Sequence, residues 1–206
     1  FQTLASAGSQ EPARSEVRSS PFGLSTPRVS PSPARSEVRM DSFYSLTKIF
    51  GGLADQTVYE KKGDQLLLDG KPAAVKLQGT RTVFRIPERP GWILKISDNM
   101  SENEPLLREA KVLTELQKDE PLSGVPILSR LGMMKNSGMW LELYGIARGR
   151  HLDFQLFGSL DEFFDAMIRA AKILESVHEK GFVHADVKPD NFLINDEREI
   201  QLNDFD

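Results

Sequence analysis

Cysteine is absent from the 206 residues of this chain. This absence excludes a disulfide scaffold, a thiolate zinc site and a cysteine nucleophile. No apolar run approaches the ~20 residues that a membrane-spanning helix needs. The net charge is −4 and the pI is about 5.5, so no bulk positive field favours binding to nucleic acid. With 39% hydrophobic and 27% charged residues, the composition is near the average of a soluble globular protein, and the length of 206 residues allows one ordinary domain, or one domain and a tail.

The first 45 residues are predicted to be disordered. They contain eleven serines and five prolines, and their few apolar residues follow no helical or strand period. Such a segment buries too little surface to offset the entropy of ordering it. The heptapeptide PARSEVR occurs at residues 12–18 and again at 33–39. We interpret the repeat as a duplicated linker, with a docking or phosphorylation motif around Ser15 and Ser36 as the alternative.

Residues 46–206 are predicted to form one domain that begins with short strands. Asp69-Gly70 is a turn signal, and residues 87–91 are predicted to form another turn. Met133 and Met134 are predicted to lie in the core. The predicted strands are residues 66–68, 74–77, 82–86, 92–96 and 138–144.

Two amphipathic helices and a hairpin are predicted after these strands. Ser101 and Glu104 have the spacing of a capping box at the start of the first helix. The second helix is predicted over residues 160–179, followed by a β-hairpin formed by residues 192–194 and 200–202. The apolar face predicted for the second helix comprises Leu160, Phe163, Phe164, Met167, Ile168, Ala171, Leu174 and Val177. Strands followed by a mostly helical part indicate the α+β class.

The side chains best suited to bind a metal ion or phosphate and to accept a proton lie near the predicted hairpin. The hairpin brings Asn191 at its start close to Asp204 at its end, with Asp186 and Lys188 one loop away. Carboxylate and amide oxygens suit Mg²⁺ that is also bound by phosphates. A lysine supplies positive charge to a phosphoryl oxygen, and a further carboxylate orients a hydroxyl and accepts its proton. These groups together provide what phosphoryl transfer requires.

The block HADVKPDN at residues 184–191, followed by Asp204-Phe205, resembles the catalytic and metal-binding loops of eukaryotic-type protein kinases. The resemblance implies a protein kinase-like fold with a small β-rich N-lobe over about residues 50–142. The start of a helical C-lobe is then expected over about residues 143–206. The domain is expected to be incomplete after the Asp-Phe motif, with marginal stability and little activity as a fragment. The helix at 160–179 is expected to leave much of its apolar face uncovered.

The same resemblance implies roles for individual residues of the loops. Asp186 is expected to be the catalytic base, and Lys188 to steady the γ-phosphate of ATP. Asn191 and Asp204 are expected to hold Mg²⁺, and His184 to brace the loop. Because Lys188 follows Asp186 by two residues, the resemblance implies a serine/threonine kinase that acts on protein substrates.

Further roles are implied for the region before the loops. Lys95 is expected to hold the α- and β-phosphates, with Glu109 as its partner on a helix. Glu142 or Leu143 is expected near the adenine ring. Gly79 is the single glycine in a phosphate-covering loop that has three in the kinase pattern.

Two departures from the pattern leave other functions open. Asp206 stands where kinases have the glycine of their Asp-Phe-Gly motif, and Ala185 stands where many have arginine. The depleted glycine loop and the missing large lobe keep a pseudokinase or binding scaffold as one alternative, whereas the acidic Asp206 after Asp204-Phe205 favours a second one. A small-molecule phosphotransferase of the aminoglycoside or choline kinase type is the other, although Lys188 argues against it. The pI and the Ser/Pro-rich arm fit an intracellular and a secreted or injected protein equally, and the sequence does not specify an oligomeric state.

Overall fold

The computed structural model describes residues 44–77, 82–145 and 149–205. All of these residues belong to one unit, which spans residues 33–206. The PARSEVR repeats lie outside the described residues, as do the loop glycine Gly79 and the C-terminal Asp206. Residues 44–50 form helix α1, so the last two residues of the segment predicted to be disordered are helical.

Seven strands form an antiparallel sheet in the order β1-β2-β3-β4-β5-β7-β6. The predicted strands correspond to β2, β3, β4, β5 and β7. The sequence did not predict β1, which has a single apolar residue, or β6, which Arg130 and Gly132 interrupt. The strands are β1 Tyr59–Lys62, β2 Gln65–Leu68, β3 Lys71–Lys76, β4 Val83–Arg85, β5 Trp92–Ile96, β6 Ile127–Met133 and β7 Met139–Tyr144.

The alternation of side chains along β7 divides the core of this sheet into two parts. Leu141 and Leu143 are buried in a large cluster that also contains residues of both long helices. Trp140 points the other way and is buried in a smaller cluster with Phe84 and Leu94. Because both faces of β7 are covered, every residue from Met139 to Leu143 is buried. Met133 and Met134 are also buried, which confirms the prediction that they lie in the core.

Helix α2, Asn103–Leu116, follows a 3-10 turn at Met100–Glu102. The predicted capping box is wrong, because Ser101 lies within this turn. Its backbone amide donates to the side chain of Asn99 at 3.0 Å instead. The buried face of α2 consists of Leu106, Glu109, Ala110, Leu113 and Leu116, with Asn103 at its start. This spacing places a carboxylate among apolar residues that pack on the sheet.

Helix α3 spans Leu160–Glu179, as predicted. Ser159 caps its N-terminus, because its hydroxyl accepts a hydrogen bond from the Glu162 amide at 3.2 Å. Most of its predicted apolar face is exposed or only partly buried, which agrees with the expectation that much of this face is uncovered. Ala166, Ala170 and Val177 are its buried residues, because small side chains allow the helix to approach the neighbouring strand closely. The exposed large residues are Leu160, Phe164, Met167 and Ile168. Much of the apolar surface of α3 is therefore uncovered in the described part of the chain.

A second antiparallel sheet has the order β10-β9-β8. Its strands are β8 Arg150–His151, β9 Phe192–Ile194 and β10 Ile200–Leu202. The predicted hairpin is thus confirmed as β9 and β10, with Leu202 opposite Phe192. Strands followed by helices and a hairpin make the chain α+β, as predicted. Within the described residues, no helix combines the length and apolarity needed to cross a bilayer.

Candidate active site

A cavity of about 380 Å³ separates the seven-stranded sheet from the β9–β10 hairpin. We call this cavity the cleft. Its apolar lining comes from Leu77, Val83, Ile93 and Leu143 on one side and Leu193 on the other, and Lys95, Glu109 and Asp204 supply charge. A larger cavity of about 580 Å³ lies between Gly124, α3 and the turn of the hairpin. Of the predicted site residues, Lys95, Glu109, Leu143 and Asp204 line the cleft. Charged groups beside largely apolar walls are typical of a ligand site, so the cleft is the candidate site.

Lys95 connects three elements at one end of the cleft. Its Nζ lies 2.7 Å from Glu109 Oε2 on α2 and 2.6 Å from Asp204 Oδ1 after β10. The side chains of Lys95 and Glu109 are 14% and 2% exposed, whereas that of Asp204 is 51% exposed. Burial alone would lower the pKa of Lys95, but the two carboxylates outweigh burial and raise this pKa above its ordinary value. Lys95 is therefore a fixed cation within the cleft.

The loop between α3 and β9 holds three of the predicted residues in one hydrogen-bonded group. Lys188 Nζ donates to Asp186 Oδ2 at 2.5 Å. Asn191 Nδ2 donates to the same Oδ2 at 3.1 Å and to the backbone oxygen of Asp186 at 2.9 Å. The hydrogen bonds from Lys188 and Asn191 lower the pKa of Asp186 below its ordinary value, so this carboxylate is ionised near neutral pH.

The hairpin links this loop to Asp204. The amide of Asn203 donates to the backbone oxygen of Asn191 at 2.8 Å, which extends the pairing of β9 and β10 by one step. The Nε2 of His184 lies 2.7 Å from the backbone oxygen of Asn203 and donates to it, and the His184 ring packs edge-on against Phe205 at 4.8 Å. His184 is only 4% exposed, so it braces the loop from inside the core.

Two residues of these loops adopt a left-handed backbone conformation. Ala185 has φ 61° and Asp204 has φ 60°. A non-glycine residue in this region carries strain that the surrounding structure must hold, and such strain is concentrated at functional sites. These two conformations change the direction of the chain just before Asp186 and at Asp204, outside the helices and strands on either side.

The structure separates the two residues expected near the adenine ring, Glu142 and Leu143. Leu143 lines the cleft, whereas Glu142 points to the opposite face of β7, since successive side chains of a strand alternate. The Glu142 carboxylate is buried and accepts hydrogen bonds from Arg89 and Arg130. Of the two residues expected near the adenine ring, Leu143 is therefore the one that lines the cleft. Gly79 lies outside the described residues.

Sequence reasoning missed several residues that the fold brings to the cleft. Asn203 was left without a role, but its side chain accepts a hydrogen bond from Gln201 Nε2 at 2.7 Å, and both residues line the cleft. Tyr144 and His151 line it as well, at the ends of short strands. Because Asn203 directly precedes the predicted ligand Asp204, the sequence alone could have indicated that Asn203 lies near the site. The positions of Tyr144 and His151 depend on pairing between distant strands, which no local pattern shows.

The donor set fits a magnesium ion only when phosphates are also present. Across the described ranges, no group of three or more His, Cys, Asp or Glu side chains is placed to hold a metal ion. Asp204 has a half-exposed carboxylate, and the hydrogen bonds of Asn191 use its Nδ2, which leaves Oδ1 as a ligand atom. Mg²⁺ is usually bound by one or two protein ligands together with phosphate oxygens and water. The pair therefore fits Mg²⁺ that arrives with a nucleotide.

Comparison with known proteins finds similarity to serine/threonine protein kinases. The chain is 49% identical over 53 residues to the probable serine/threonine-protein kinase pkgA of Dictyostelium discoideum, which covers 25% of this chain and 4% of that protein. It is 49% identical over 47 residues to the human serine/threonine-protein kinase LATS1, with 23% and 4% covered. It is 34% identical over 114 residues to the serine/threonine-protein kinase PKH2 of Saccharomyces cerevisiae, with 50% and 10% covered. The chain thus spans a tenth or less of the length of these three relatives.

A solved structure, the Cydia pomonella granulovirus kinase PK-1, matches with a TM-score of 0.48 and 19% identity over 60% of this chain and 46% of that one. No protein-family model matches the chain. The chain has a protein kinase-like α+β fold, as the sequence predicts.

Proposed function

We propose that this chain carries the nucleotide-binding and catalytic elements of an ATP-dependent protein kinase that phosphorylates serine and threonine hydroxyls. The main support is that Lys95 Nζ lies within 2.7 Å of carboxylate oxygens of both Glu109 and Asp204 at one end of an apolar cleft. An apolar cleft that ends in fixed charges suits a ligand with a flat apolar base and a charged phosphate chain.

Three residues bind the phosphates in this proposal. Lys95, held by Glu109 at 2.7 Å, donates to phosphate oxygens of ATP. Asn191 and Asp204 hold Mg²⁺, which neutralises charge on the phosphates when it is bound. Asp204 gives up part of its contact with Lys95 as the nucleotide enters.

Asp186 and Lys188 act on the transferred group. Asp186 orients the substrate hydroxyl and accepts its proton as the hydroxyl oxygen bonds to the γ-phosphorus. The bond from that phosphorus to the bridging oxygen breaks, and ADP leaves with the electron pair. Lys188 lies 2.5 Å from Asp186 in the same loop, and in this proposal it binds an oxygen of the transferred phosphoryl group.

The preference for serine and threonine of protein substrates rests on two observations. Lys188 follows Asp186 by two residues, which resembles the serine/threonine kinase pattern. The similar proteins pkgA, LATS1 and PKH2 are all named as serine/threonine kinases.

The substitution Asp186→Asn in the full-length protein tests the proposal. Transfer of radiolabelled phosphate from Mg·ATP to a serine-rich acceptor protein is expected to fall by about 10²–10⁴-fold. Nucleotide binding, measured as a thermal shift with Mg·ATP, is expected to persist because Asp186 does not contact Lys95. Asp196→Asn is the matched control, since Asp196 is in the exposed hairpin turn and pairs with Arg150.

Three outcomes contradict the proposal. Full activity of Asp186→Asn removes the proposed base. A complete protein with no Mg·ATP-induced thermal shift and no transfer is a pseudokinase or binding scaffold. Transfer to a small amine or sugar, with none to protein, identifies a phosphotransferase of the aminoglycoside or choline kinase type.

A further inference from the structure

A buried hydrogen bond joins the end of β5 to the start of α2. Ser97 is the first residue after β5, and its Oγ donates to Asn103 Oδ1 at 2.5 Å. The two residues are 2% and 9% exposed, so water does not readily replace either partner. Because a polar group that loses its partner in the interior is costly, this hydrogen bond opposes movement of the start of α2 away from β5.

The turn between β6 and β7 provides further partners for both side chains. Asn103 Nδ2 donates to the backbone oxygen of Ser137 at 3.1 Å. The Met139 amide donates to Ser97 Oγ at 2.7 Å, and the Ser97 amide donates to the Met139 oxygen at 2.9 Å. The first residue of α2 is thus attached both to the end of β5 and to the β6–β7 turn, through contacts that depend on direction as well as distance.

The β6–β7 turn lies directly against the segment that connects β5 to α2. A Cβ at Gly138 would lie 2.2 Å from the Ser97 carbonyl oxygen and 3.3 Å from the Asn99 amide. Ser137 has φ 69°, a left-handed conformation that the surrounding structure must hold in a residue other than glycine. The close packing and the backbone conformation together direct the Ser137 carbonyl group to Asn103.

The same strand and helix are joined a second time at the cleft, by the Lys95–Glu109 ion pair at 2.7 Å. Lys95 precedes Ser97 by two residues, or ~7 Å along the strand. Glu109 follows Asn103 by six residues, or ~9 Å along the helix. Two links at separate points fix the rotation of a helix as well as its position, whereas a single link leaves it free to pivot. The apolar contacts of α2, such as those of Leu113, stabilise the packing but have no preferred direction.

We propose that Ser97 and Asn103 form a polar link that holds Glu109 against Lys95, and that this link sets the affinity of the cleft for the phosphates of a nucleotide. The inference rests on the proposed function. Without the polar link, α2 pivots and Glu109 leaves Lys95 in a fraction of the molecules. Phosphates bind the aligned arrangement, so the apparent affinity falls in proportion to the aligned fraction. Ser97 and Asn103 are positioning residues, because they act through Glu109 and do not line the cleft.

The substitution Asn103→Ala in the full-length protein tests the polar link. We expect the Kd for Mg·ATP to rise by about 3–10-fold, which corresponds to an aligned fraction of roughly a third to a tenth. The Kd for adenosine is expected to change by less than about 2-fold, because adenosine has no phosphate for Lys95 to bind. At saturating ATP, kcat is also expected to change by less than about 2-fold, since the bound nucleotide restores the alignment.

Two substitutions of Ser97 repeat the test from the strand. Ser97→Ala breaks the same hydrogen bond and is expected to raise the Kd for Mg·ATP as Asn103→Ala does, even if one of the two variants folds poorly. Ser97→Thr keeps the hydroxyl and is expected to retain the wild-type Kd. Asn136→Ala is the matched control, because Asn136 lies in the same turn and its side chain donates to the backbone oxygen of Asp98 and not to α2.

The background variant Glu109→Gln separates positioning from stability. It weakens the ion pair on which the polar link acts, so adding Asn103→Ala is expected to change the Kd for Mg·ATP by less than about 2-fold further. The shift in urea midpoint caused by Asn103→Ala is expected to be the same in both backgrounds, since the hydrogen bonds of Asn103 are lost in either case.

A purely structural role for the polar link gives a different result. Asn103→Ala then lowers the urea midpoint but leaves the Kd for Mg·ATP at the wild-type value, which refutes the proposal. Equal losses of affinity for adenosine and Mg·ATP refute it as well, because the whole cleft is then distorted. A wild-type protein that binds neither adenosine nor Mg·ATP refutes the proposed function, so the two failures are distinguishable.

Discussion

Replacing Lys95 by methionine tests whether the charges of the cleft are held as an interdependent group. The substitution keeps most of the apolar stem and removes the ammonium that lies 2.7 Å from Glu109 and 2.6 Å from Asp204. Asp204 is half-exposed and can be solvated by water. Glu109 is 2% exposed, so the cost of the substitution falls mainly on this buried carboxylate.

Loss of one partner of a buried ion pair costs about 3–5 kcal/mol. Since the cleft is open to water beside Lys95, we expect the lower value, about 3 kcal/mol, for Lys95→Met. For a chain of this size, a loss of 1 kcal/mol lowers the melting temperature by about 2–4 °C, so a drop of roughly 6–12 °C is expected. The double variant Lys95→Met/Glu109→Gln also removes the buried carboxylate charge that had paired with Lys95, and it is expected to recover most of this loss.

Urea unfolding followed by fluorescence and circular dichroism measures these differences. Lys76→Met is the matched control, because Lys76 lies on β3 and its partner Asp64 is 78% exposed. Its effect is expected to remain within about 0.5 kcal/mol. Equal destabilisation in Lys95→Met and in the double variant would refute the reasoning, since the loss would then have no connection with the Glu109 charge.

Two further predictions concern stability away from the cleft. Burial raises the pKa of Asp55, but its hydrogen bonds and the pair with Arg130 outweigh burial, so the folded-state pKa is lowered. The carboxylate therefore stabilises the fold above pH ~4, and the difference in urea midpoint between wild type and Asp55→Asn is expected to shrink as pH falls below that value. Gly138→Ala is expected to destabilise the protein by about 1–3 kcal/mol in the same assay, because its Cβ would collide with the Ser97 carbonyl oxygen. Wild-type stability of Gly138→Ala would show that the β6–β7 turn is not tightly packed.

Local sequence patterns predicted the elements whose residues repeat regularly. The bounds of α3 follow from Asp161 and Glu162 at its start and from Gly181 after its end, and the hairpin follows from two apolar runs around a polar turn. The buried face of α3 could not be predicted in this way. The large apolar residues identify the apolar stripe of the helix. The buried positions include Ala166 and Ala170, whose small side chains permit the closest approach to the neighbouring strand.

The sequence predicted the part of the site whose residues are close together along the chain. It did not predict the part in which the pairing of distant strands determines which side chains face the cleft. The group of Asp186, Lys188 and Asn191 lies within one loop, so its spacing alone placed its members together. Glu142 and Leu143 were indistinguishable in sequence, and only the packing of β7 on α2 determines which of them faces the cleft.

A crystal structure of the full-length protein with Mg²⁺ and a non-hydrolysable ATP analogue tests the central claim most directly. The account predicts a cation bound by Asn191 Oδ1 and the Asp204 carboxylate, phosphate oxygens on Lys95, and the terminal phosphate within hydrogen-bond distance of Lys188. A nucleotide bound outside the cleft, or a cation bound without either of these two ligands, would contradict it.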